Sequence, residues 1–272
     1  MHSDTFPAVN PEASKLYKEF MKTFQHHCDT MLHRVQTRAL LRDALQNDEF
    51  VLEYQPIVGL HDGKHVSYEA LIRWDNPTRG LLMPGKFLPT FSSLDMSVAL
   101  DQWVLRRASQ DCVKWRKHAP EFEVSVHVNL SGQQFSEPGL IERIESILTG
   151  SGLPPHCLKL EITEGFQIKD MKAACRALST IRGWGVRVCL DDFGTGYCGL
   201  SYIQQLPIDT IKIDRSFVTY LCEKEESRSI VKTCIELASR LGLDVVAEGI
   251  EIETQRQALL ELGCEYGQGF LF

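Results

Sequence analysis

Apolar and polar residues alternate in eight short segments, the first of which begins at Phe50. An alternation with a period of two is typical of β-strands. The segments are residues 50–58, 66–74, 122–130, 158–164, 186–192, 210–214, 244–250 and 267–272. The dipeptide Asp62-Gly63 lies between the first two segments, and it predicts a tight turn between antiparallel strands. From the second segment onward, stretches with helical spacing of apolar residues separate consecutive segments.

This order of elements predicts an α/β protein. Eight strand units in about 230 residues fit a TIM-like (β/α)8 barrel better than an open sheet, with a first strand that runs antiparallel to the others. We expect the last helix to be absent, because no helical segment follows the last strand. Residues 13–44 have a helical pattern with mixed charge. The predicted helix would be either a signalling connector or a solvated extension. The predicted division is an N-terminal helical extension or linker over residues 1–40 and a barrel over residues 41–272.

The interior of the predicted barrel is acidic. On successive strands the apolar residues share one face, which helices would cover, so the opposite face points inward. Inward polar residues concentrate near strand ends, where barrel active sites are built; they are Gln55, Glu69, Asn129, Glu161, Asp191, Lys212 and Asp214, joined by Glu248 and Gln268 at the last two strands. Six acids, counting Asp192 and Asp214, oppose two bases, Arg73 and Lys212. Salt bridges alone cannot balance this set.

Bound cations would balance it. Taken alone, Asp191-Asp192 would more often cap a following helix than bind a metal, but the other inward acids favour a metal site. Oxygen ligands favour Mg²⁺ or Mn²⁺ over zinc, and the number of carboxylates is sufficient for two ions. Two ions suit an in-line displacement at phosphorus. The residues alone therefore predict a two-metal phosphoesterase.

Composition excludes several other classes of protein. A net charge of −7 and a pI near 5.7 argue against a nucleic-acid polymer as the main partner. The nine cysteines are scattered and form no CxxC pair, which is typical of a reduced cytoplasmic protein without a structural zinc site. No segment has the length and apolarity of a membrane span, and the N-terminus lacks a signal-peptide pattern. We therefore expect a cytoplasmic location.

Eight short motifs then occur in a recognisable order. Glu69-Ala70-Leu71 stands within YEALIRW, and it is accompanied by YQPIV, VNLS, EITE, DDFGTGY, KIDR, AEGIE and a final QG. Over residues 41–272 the chain resembles the EAL family of cyclic-di-GMP phosphodiesterases. The resemblance implies hydrolysis of this bacterial second messenger to linear pGpG, by attack of a metal-bound water on phosphorus. It also implies two Mg²⁺ or Mn²⁺ ions, inhibition by Ca²⁺, and a homodimer formed through the surface beside the Asp191–Tyr202 loop.

The same resemblance implies a role for each matching residue. The metal ligands would be Glu69, Asn129, Glu161, Asp191, Asp192 and Glu248, with Asp191 bridging both ions. Lys212 would hydrogen-bond the attacking water and help to deprotonate it, which agrees with the effect of a cationic neighbour on an ionisable group. The substrate contacts would be Gln55, Leu71, Arg73, Asp214 and Gln268. Glu164 would anchor the DFGTG loop and couple the metal site to the dimer contact.

Some positions depart from the family pattern. Cys198 and Gly199 lie where two serines are usual, which puts loop stability or dimer coupling in doubt but not the ligands. Ser92 stands where an acid is usual, and we have no explanation for it. No GGDEF-type motif is present, so cyclase activity is not expected within these residues.

Two alternative functions remain open from the sequence. A catalytically silent cyclic-di-GMP receptor would keep the fold, but such relatives usually lose a metal ligand and none is lost here. A Schiff-base enzyme would use Lys212 as its nucleophile, although Asp191 and Asp192 would keep that amine protonated.

Overall fold

The computed structural model describes residues 11–120, 123–163, 170–195 and 200–272. It divides into two compact units, Met1–Glu49 and Phe50–Phe272. The first unit contains helix α1, Pro11–Gln46, in agreement with the helical pattern over residues 13–44. The assignment of residues 1–40 as an extension or linker stays a prediction.

Within the described residues, the second unit contains nine strands, β1–β9. They are Phe50–Gly59, His65–Asn76, Gly80–Leu82, Val126–Asn129, Leu158–Thr163, Arg187–Phe193, Thr210–Ile213, Asp244–Ala247 and Tyr266–Gln268. Helices α2–α10 are Leu88–Ser93, Ser97–His118, Gln133–Ser136, Leu140–Ser151, Met171–Gly183, Leu200–Gln205, Arg215–Thr219, Glu225–Leu241 and Glu253–Glu261. Two short 3₁₀ turns, Pro84–Lys86 and Pro155–Cys157, precede α2 and β5.

Eight of these strands close into a barrel. Their order is β1-β9-β8-β7-β6-β5-β4-β2, and pairing of β1 with β2 completes the ring. Strand β1 is antiparallel to both of its neighbours, whereas β2 and β4–β9 are parallel to one another. The predicted (β/α)8 barrel with an antiparallel first strand is therefore confirmed.

The strand sequences explain why the barrel is covered on its outside. Residues such as Val128, Leu160, Val188 and Ile211 are at most 1% exposed, because their side chains face the surrounding helices. The residues that alternate with them along each strand face the opposite way, into the barrel. Fully burying each such aliphatic side chain contributes roughly 1.5–3 kcal/mol relative to exposure.

Several strands differ in extent from the predictions. Strand β3 was not predicted, because three residues are too few for a period of two to be visible; it extends β2 outside the closed ring. The segments predicted over 122–130, 244–250 and 267–272 form shorter strands. The last one ends at Gln268, and the next residue, Gly269, approaches the backbone of Ile250 so closely that a Cβ there would overlap it. None of the helices within the described ranges has the length and apolarity needed to cross a membrane.

Candidate active site

Lys212 lies at the centre of an acidic cluster inside the barrel. It is fully buried on β7. Its Nζ lies 3.0 Å from Glu69 Oε2, 3.1 Å from Glu161 Oε1, 3.4 Å from Asp191 Oδ1 and 2.6 Å from Glu248 Oε1. These four carboxylates come from four different strands or strand ends, and with Lys212 we call them the acidic cage.

Amide side chains complete one wall of the acidic cage. Asn129 Nδ2 donates to Glu69 Oε1 at 3.0 Å, and Gln268 Nε2 donates to Glu69 Oε2 at 2.7 Å and to Gln55 Oε1 at 2.8 Å. The β1–β2 register sets Gln55 directly opposite Glu69. Because Asn129 uses its nitrogen toward Glu69, its carbonyl oxygen is the atom that could bind a cation.

Asp192 is brought to the same place by an unusual backbone conformation. Consecutive strand residues normally point to opposite faces. Here Asp192 has φ +55°, and the β6–β7 register shifts between Leu190 and Phe193. As a result, carboxylate oxygens of Asp191, Asp192 and Glu248 lie within 4.8 Å of one another. A left-handed non-glycine residue costs of order 1–3 kcal/mol and is often found at functional sites.

Burial and mutual repulsion perturb the titration of the cage. Burial alone would lower the pKa of Lys212, but the surrounding carboxylates raise it well above its ordinary value. Burial and the charge of Glu69 raise the pKa of Glu161 well above its usual range. Burial and the neighbouring acids raise the pKa of Asp192, and they raise that of Glu248 to about 7. Glu69 is the exception, because Lys212 and hydrogen bonds outweigh burial and lower its pKa.

These properties fit divalent cations. Asp191 Oδ1 is buried and forms no hydrogen bond with any described residue, although Lys212 Nζ lies 3.4 Å from it. The raised pKa values mean that this cluster would hold extra protons unless another positive charge replaced them, and metal binding to such ligands releases protons. The donor atoms are carboxylate and amide oxygens, which suit Mg²⁺ or Mn²⁺.

A cavity of about 250 Å³ opens beside the acidic cage. Its lining combines cage residues with less acidic neighbours: Gln55, Glu69, Leu71, Asp191, Arg215, Glu248, Gly249, Glu251, Gln268, Gly269 and Phe270. Three predicted substrate contacts, Gln55, Leu71 and Gln268, therefore lie at this cavity. Arg215 and Phe270 were not singled out from the sequence, although Arg215 closes the KIDR motif and Phe270 is 87% exposed two residues beyond Gln268.

Two other predicted substrate contacts, Arg73 and Asp214, do not line this cavity. Arg73 forms an ion pair with Glu53, with Nε 2.8 Å from Oε2. Asp214 caps helix α8 by accepting a hydrogen bond from the Ser216 backbone N–H at 3.0 Å. The predicted roles of both residues stay predictions, and Glu164 and residues 196–199 lie outside the described residues.

Known proteins share this architecture. The phosphodiesterase MucR of Pseudomonas aeruginosa, solved with c-di-GMP, superposes with a TM-score of 0.81 at 38% identity, covering 87% of this chain and 95% of that one. The EAL enzyme Bd1971, solved with cAMP and cyclic-di-GMP, superposes with a TM-score of 0.83 at 30% identity over 97% of this chain and 73% of that one.

Sequence comparison agrees with the structural one. The bifunctional diguanylate cyclase/cyclic di-GMP phosphodiesterase MucR is 39% identical over 233 residues, which are 85% of this chain and 34% of that protein. An uncharacterized protein of Synechocystis is 39% identical over 241 residues, 89% of this chain and 34% of its own length. The chain thus spans about a third of the length of these curated relatives. Residues 38–272 match the family model described as the EAL domain, and the chain belongs to the EAL domain family.

Proposed function

We propose that this chain hydrolyses cyclic-di-GMP to linear pGpG with two divalent cations. The observation that carries the proposal is the acidic cage, in which four carboxylates surround one buried ammonium beside an open cavity. An apolar packed interior would suffice for stability. A buried excess of carboxylates is costly unless cations are bound. Two of the solved relatives bind cyclic-di-GMP, which makes it the first substrate to test.

The metal ligands divide into two groups in this proposal. Glu69, Asn129 and Glu161 would hold one ion, Asp192 and Glu248 would hold the other, and Asp191 would contact both. When bound, the two Mg²⁺ or Mn²⁺ ions would supply charge at the attacking and leaving oxygens of an in-line displacement. Ca²⁺ should inhibit, because it prefers more ligands and longer bonds than Mg²⁺.

Lys212 would act on the attacking water. Its Nζ lies within 3.4 Å of an oxygen of each of four cage carboxylates, so its ammonium is adjacent to the oxygen atoms that would hold the ions. A hydrogen bond from that ammonium would orient the water and favour its deprotonated form. The ammonium would also offset the negative charge that develops on the phosphoryl oxygens.

The cavity residues would hold the substrate. Gln55 and Gln268 offer amide groups at the rim of the acidic cage, and Leu71 offers apolar contact. Arg215 lines the same cavity and would attract a phosphate. We retain Arg73 and Asp214 as proposed contacts, with the condition that Arg73 must leave its ion pair with Glu53 to reach a ligand.

A homodimer is part of the proposal. It would form through the surface beside the Asp191–Tyr202 loop, with Glu164 anchoring the loop. Sedimentation of the chain at several concentrations, with and without Mg²⁺, tests this proposal. A monomer at all concentrations would contradict it.

Turnover and binding must be measured side by side. Cyclic-di-GMP is incubated with the full chain and Mg²⁺ or Mn²⁺, the products are separated, and the same samples are repeated with EDTA. A binding isotherm with Ca²⁺ accompanies the assay. Metal-dependent formation of pGpG supports the proposal. Binding without product would instead assign the chain to the silent receptors.

A further inference from the structure

A second polar layer lies directly below the acidic cage. Ser67, His127 and Cys189 each lie two residues before a cage or wall residue of their own strand, namely Glu69, Asn129 and Asp191, so they face the same interior. All three are fully buried. Barrel interiors are usually filled at this depth by branched apolar side chains. A buried polar layer therefore calls for a specific explanation.

His127 connects this layer to the acidic cage. Its Nδ1 lies 2.7 Å from Glu161 Oε1, and its Nε2 lies 3.0 Å from Ser67 Oγ. Cys189 Sγ packs 3.8 Å from the same Nδ1. Both ring nitrogens therefore have a partner of good hydrogen-bond length, and the ring is fixed in position and orientation.

The chemistry of Glu161 determines the direction of these hydrogen bonds. A carboxylate that binds a cation is ionised, and an ionised carboxylate only accepts hydrogen bonds. Nδ1 of His127 must then donate, which leaves Nε2 to accept from the Ser67 hydroxyl in the neutral imidazole. Ser67, His127 and Glu161 thus form one ordered chain of donors and acceptors.

The bond from His127 also limits what Glu161 can do. Lys212 Nζ lies 3.1 Å from both oxygens of this carboxylate. The hydrogen bond between His127 Nδ1 and Oε1 adds a fixed contact from a second residue, so the carboxylate cannot rotate about the ammonium. With Oε1 held by His127, the carboxylate plane is set and Oε2 stays directed toward the centre of the cage.

We propose that His127 is a positioning residue that, held by Ser67, orients Glu161 for divalent-cation binding. This inference rests on the proposed metal site of the preceding subsection and assigns it a residue outside the ligand set. Outer hydrogen bonds of this kind orient ligands, and their loss typically weakens metal affinity or activity about 10- to 100-fold.

Four variants of the full chain separate positioning from packing. His127→Leu removes the donor, whereas His127→Asn keeps an N–H donor near the position of Nδ1. Ser67→Ala removes the far end of the chain of hydrogen bonds. Cys189→Ala is the matched control, because Cys189 lies in the same buried layer and contacts the ring but holds no bond to Glu161.

The primary measurement is the affinity for Mn²⁺ and Mg²⁺, by calorimetry without substrate. We expect His127→Leu to weaken binding about 10- to 100-fold, Ser67→Ala to weaken it less, and His127→Asn to recover most of the loss. Cys189→Ala should bind near the parent value. Far-ultraviolet circular dichroism and thermal unfolding establish that each variant is folded.

Two further measurements distinguish positioning of Glu161 from a role of His127 in packing alone. In the Mg²⁺-loaded parent, ¹⁵N spectra of His127 should report the neutral ring with the proton on Nδ1. In turnover assays, His127→Leu should need more metal for half-maximal rate, while its KM for cyclic-di-GMP at saturating metal stays near that of the parent.

When the parent binds divalent ions, any of three results contradicts the role of His127. These are parent-like metal affinity in His127→Leu, a loss in Cys189→Ala equal to that in His127→Leu, or a proton on Nε2 rather than Nδ1 in the loaded parent. If the parent binds no divalent ion, the inference fails together with the metal site. If metal binding follows the expected order but cyclic-di-GMP is not cleaved, the proposed function fails and the role of His127 stands.

Discussion

Removal of the Lys212 ammonium should make folding depend on added metal. Lys212 is fully buried and contacts four carboxylates. In Lys212→Met the apolar volume is kept, but the buried acids lose their countercharge. Breaking a buried ion pair from one side costs about 3–5 kcal/mol. For a domain of this size, that corresponds to a fall of roughly 6–20 °C in melting temperature.

The effect should depend on pH and on divalent ions. Without Lys212 the cage carboxylates hold protons more tightly in the folded state than in the unfolded state. Stability is therefore highest at low pH and is lost as pH rises through the raised pKa values. Mg²⁺ bound by the cage would replace the missing charge, so it should raise the melting temperature of the variant more than that of the parent.

Thermal unfolding in EDTA and in Mg²⁺, at pH 6 and pH 8, measures these effects. Lys64→Met is the control, because Lys64 is an exposed lysine paired with Asp62 at 3.0 Å, and such pairs contribute about 0–1 kcal/mol. Turnover by Lys212→Met should fall about 10²–10⁴-fold. Lys212→Arg should recover little, because a planar guanidinium cannot occupy the site of a compact ammonium. A Lys212→Met protein that unfolds like the parent in EDTA would refute this account of the cage.

Three further predictions concern individual acids. Asp191→Asn should abolish turnover and reduce metal stoichiometry in calorimetry, and two bound ions with near-normal rate would contradict the proposed bridging role of Asp191. Burial and the neighbouring acids raise the pKa of Glu248 to about 7, and a raised pKa in the folded state lowers stability as pH rises through it. The metal-free parent should therefore be less stable at pH 8 than at pH 6, and Glu248→Gln should flatten this pH profile in EDTA. Burial raises the pKa of Asp101 to about 6 despite hydrogen bonds from Ser131, so the parent should lose about 3 kcal/mol of stability at most between pH 4 and pH 7. Asp101→Asn should abolish this loss in urea titrations.

Strand alternation accounts for what could be predicted of the site. Glu69, Glu161 and Lys212 each lie on a strand whose apolar residues face outward, so their inward direction follows from a period of two. Their proximity then follows from closure of the barrel. The structure places carboxylate oxygens of Glu69 and Glu161 within 3.1 Å of Lys212 Nζ.

Other features depend on geometry that a pattern does not contain. Asp192 should face away from Asp191 by alternation, but its positive φ turns it toward Glu248. Arg73 shares the inward parity of Glu69, yet its side chain forms an ion pair with Glu53, which lies opposite Leu71 in the β1–β2 register.

The hydrogen bonds of the polar layer under the cage could not be predicted from the sequence either. His127 appears in the sequence as one more inward polar residue of β4, with nothing to indicate its partners. Its contacts with Ser67 and Glu161 join strands that are 60 and 34 residues apart in sequence. Such contacts depend on side-chain rotamers as well as on strand order, and the sequence pattern does not specify those rotamers.

The most direct test of the proposed function is hydrolysis of cyclic-di-GMP in ¹⁸O-labelled water. The full chain is incubated with Mg²⁺, and the product is analysed by mass spectrometry, with EDTA in a parallel sample. The account predicts linear pGpG with one ¹⁸O on its terminal phosphate, formed only when the metal is present. Failure to form pGpG in Mg²⁺ or Mn²⁺, or product that carries no label, would contradict a metal-dependent attack of water on phosphorus.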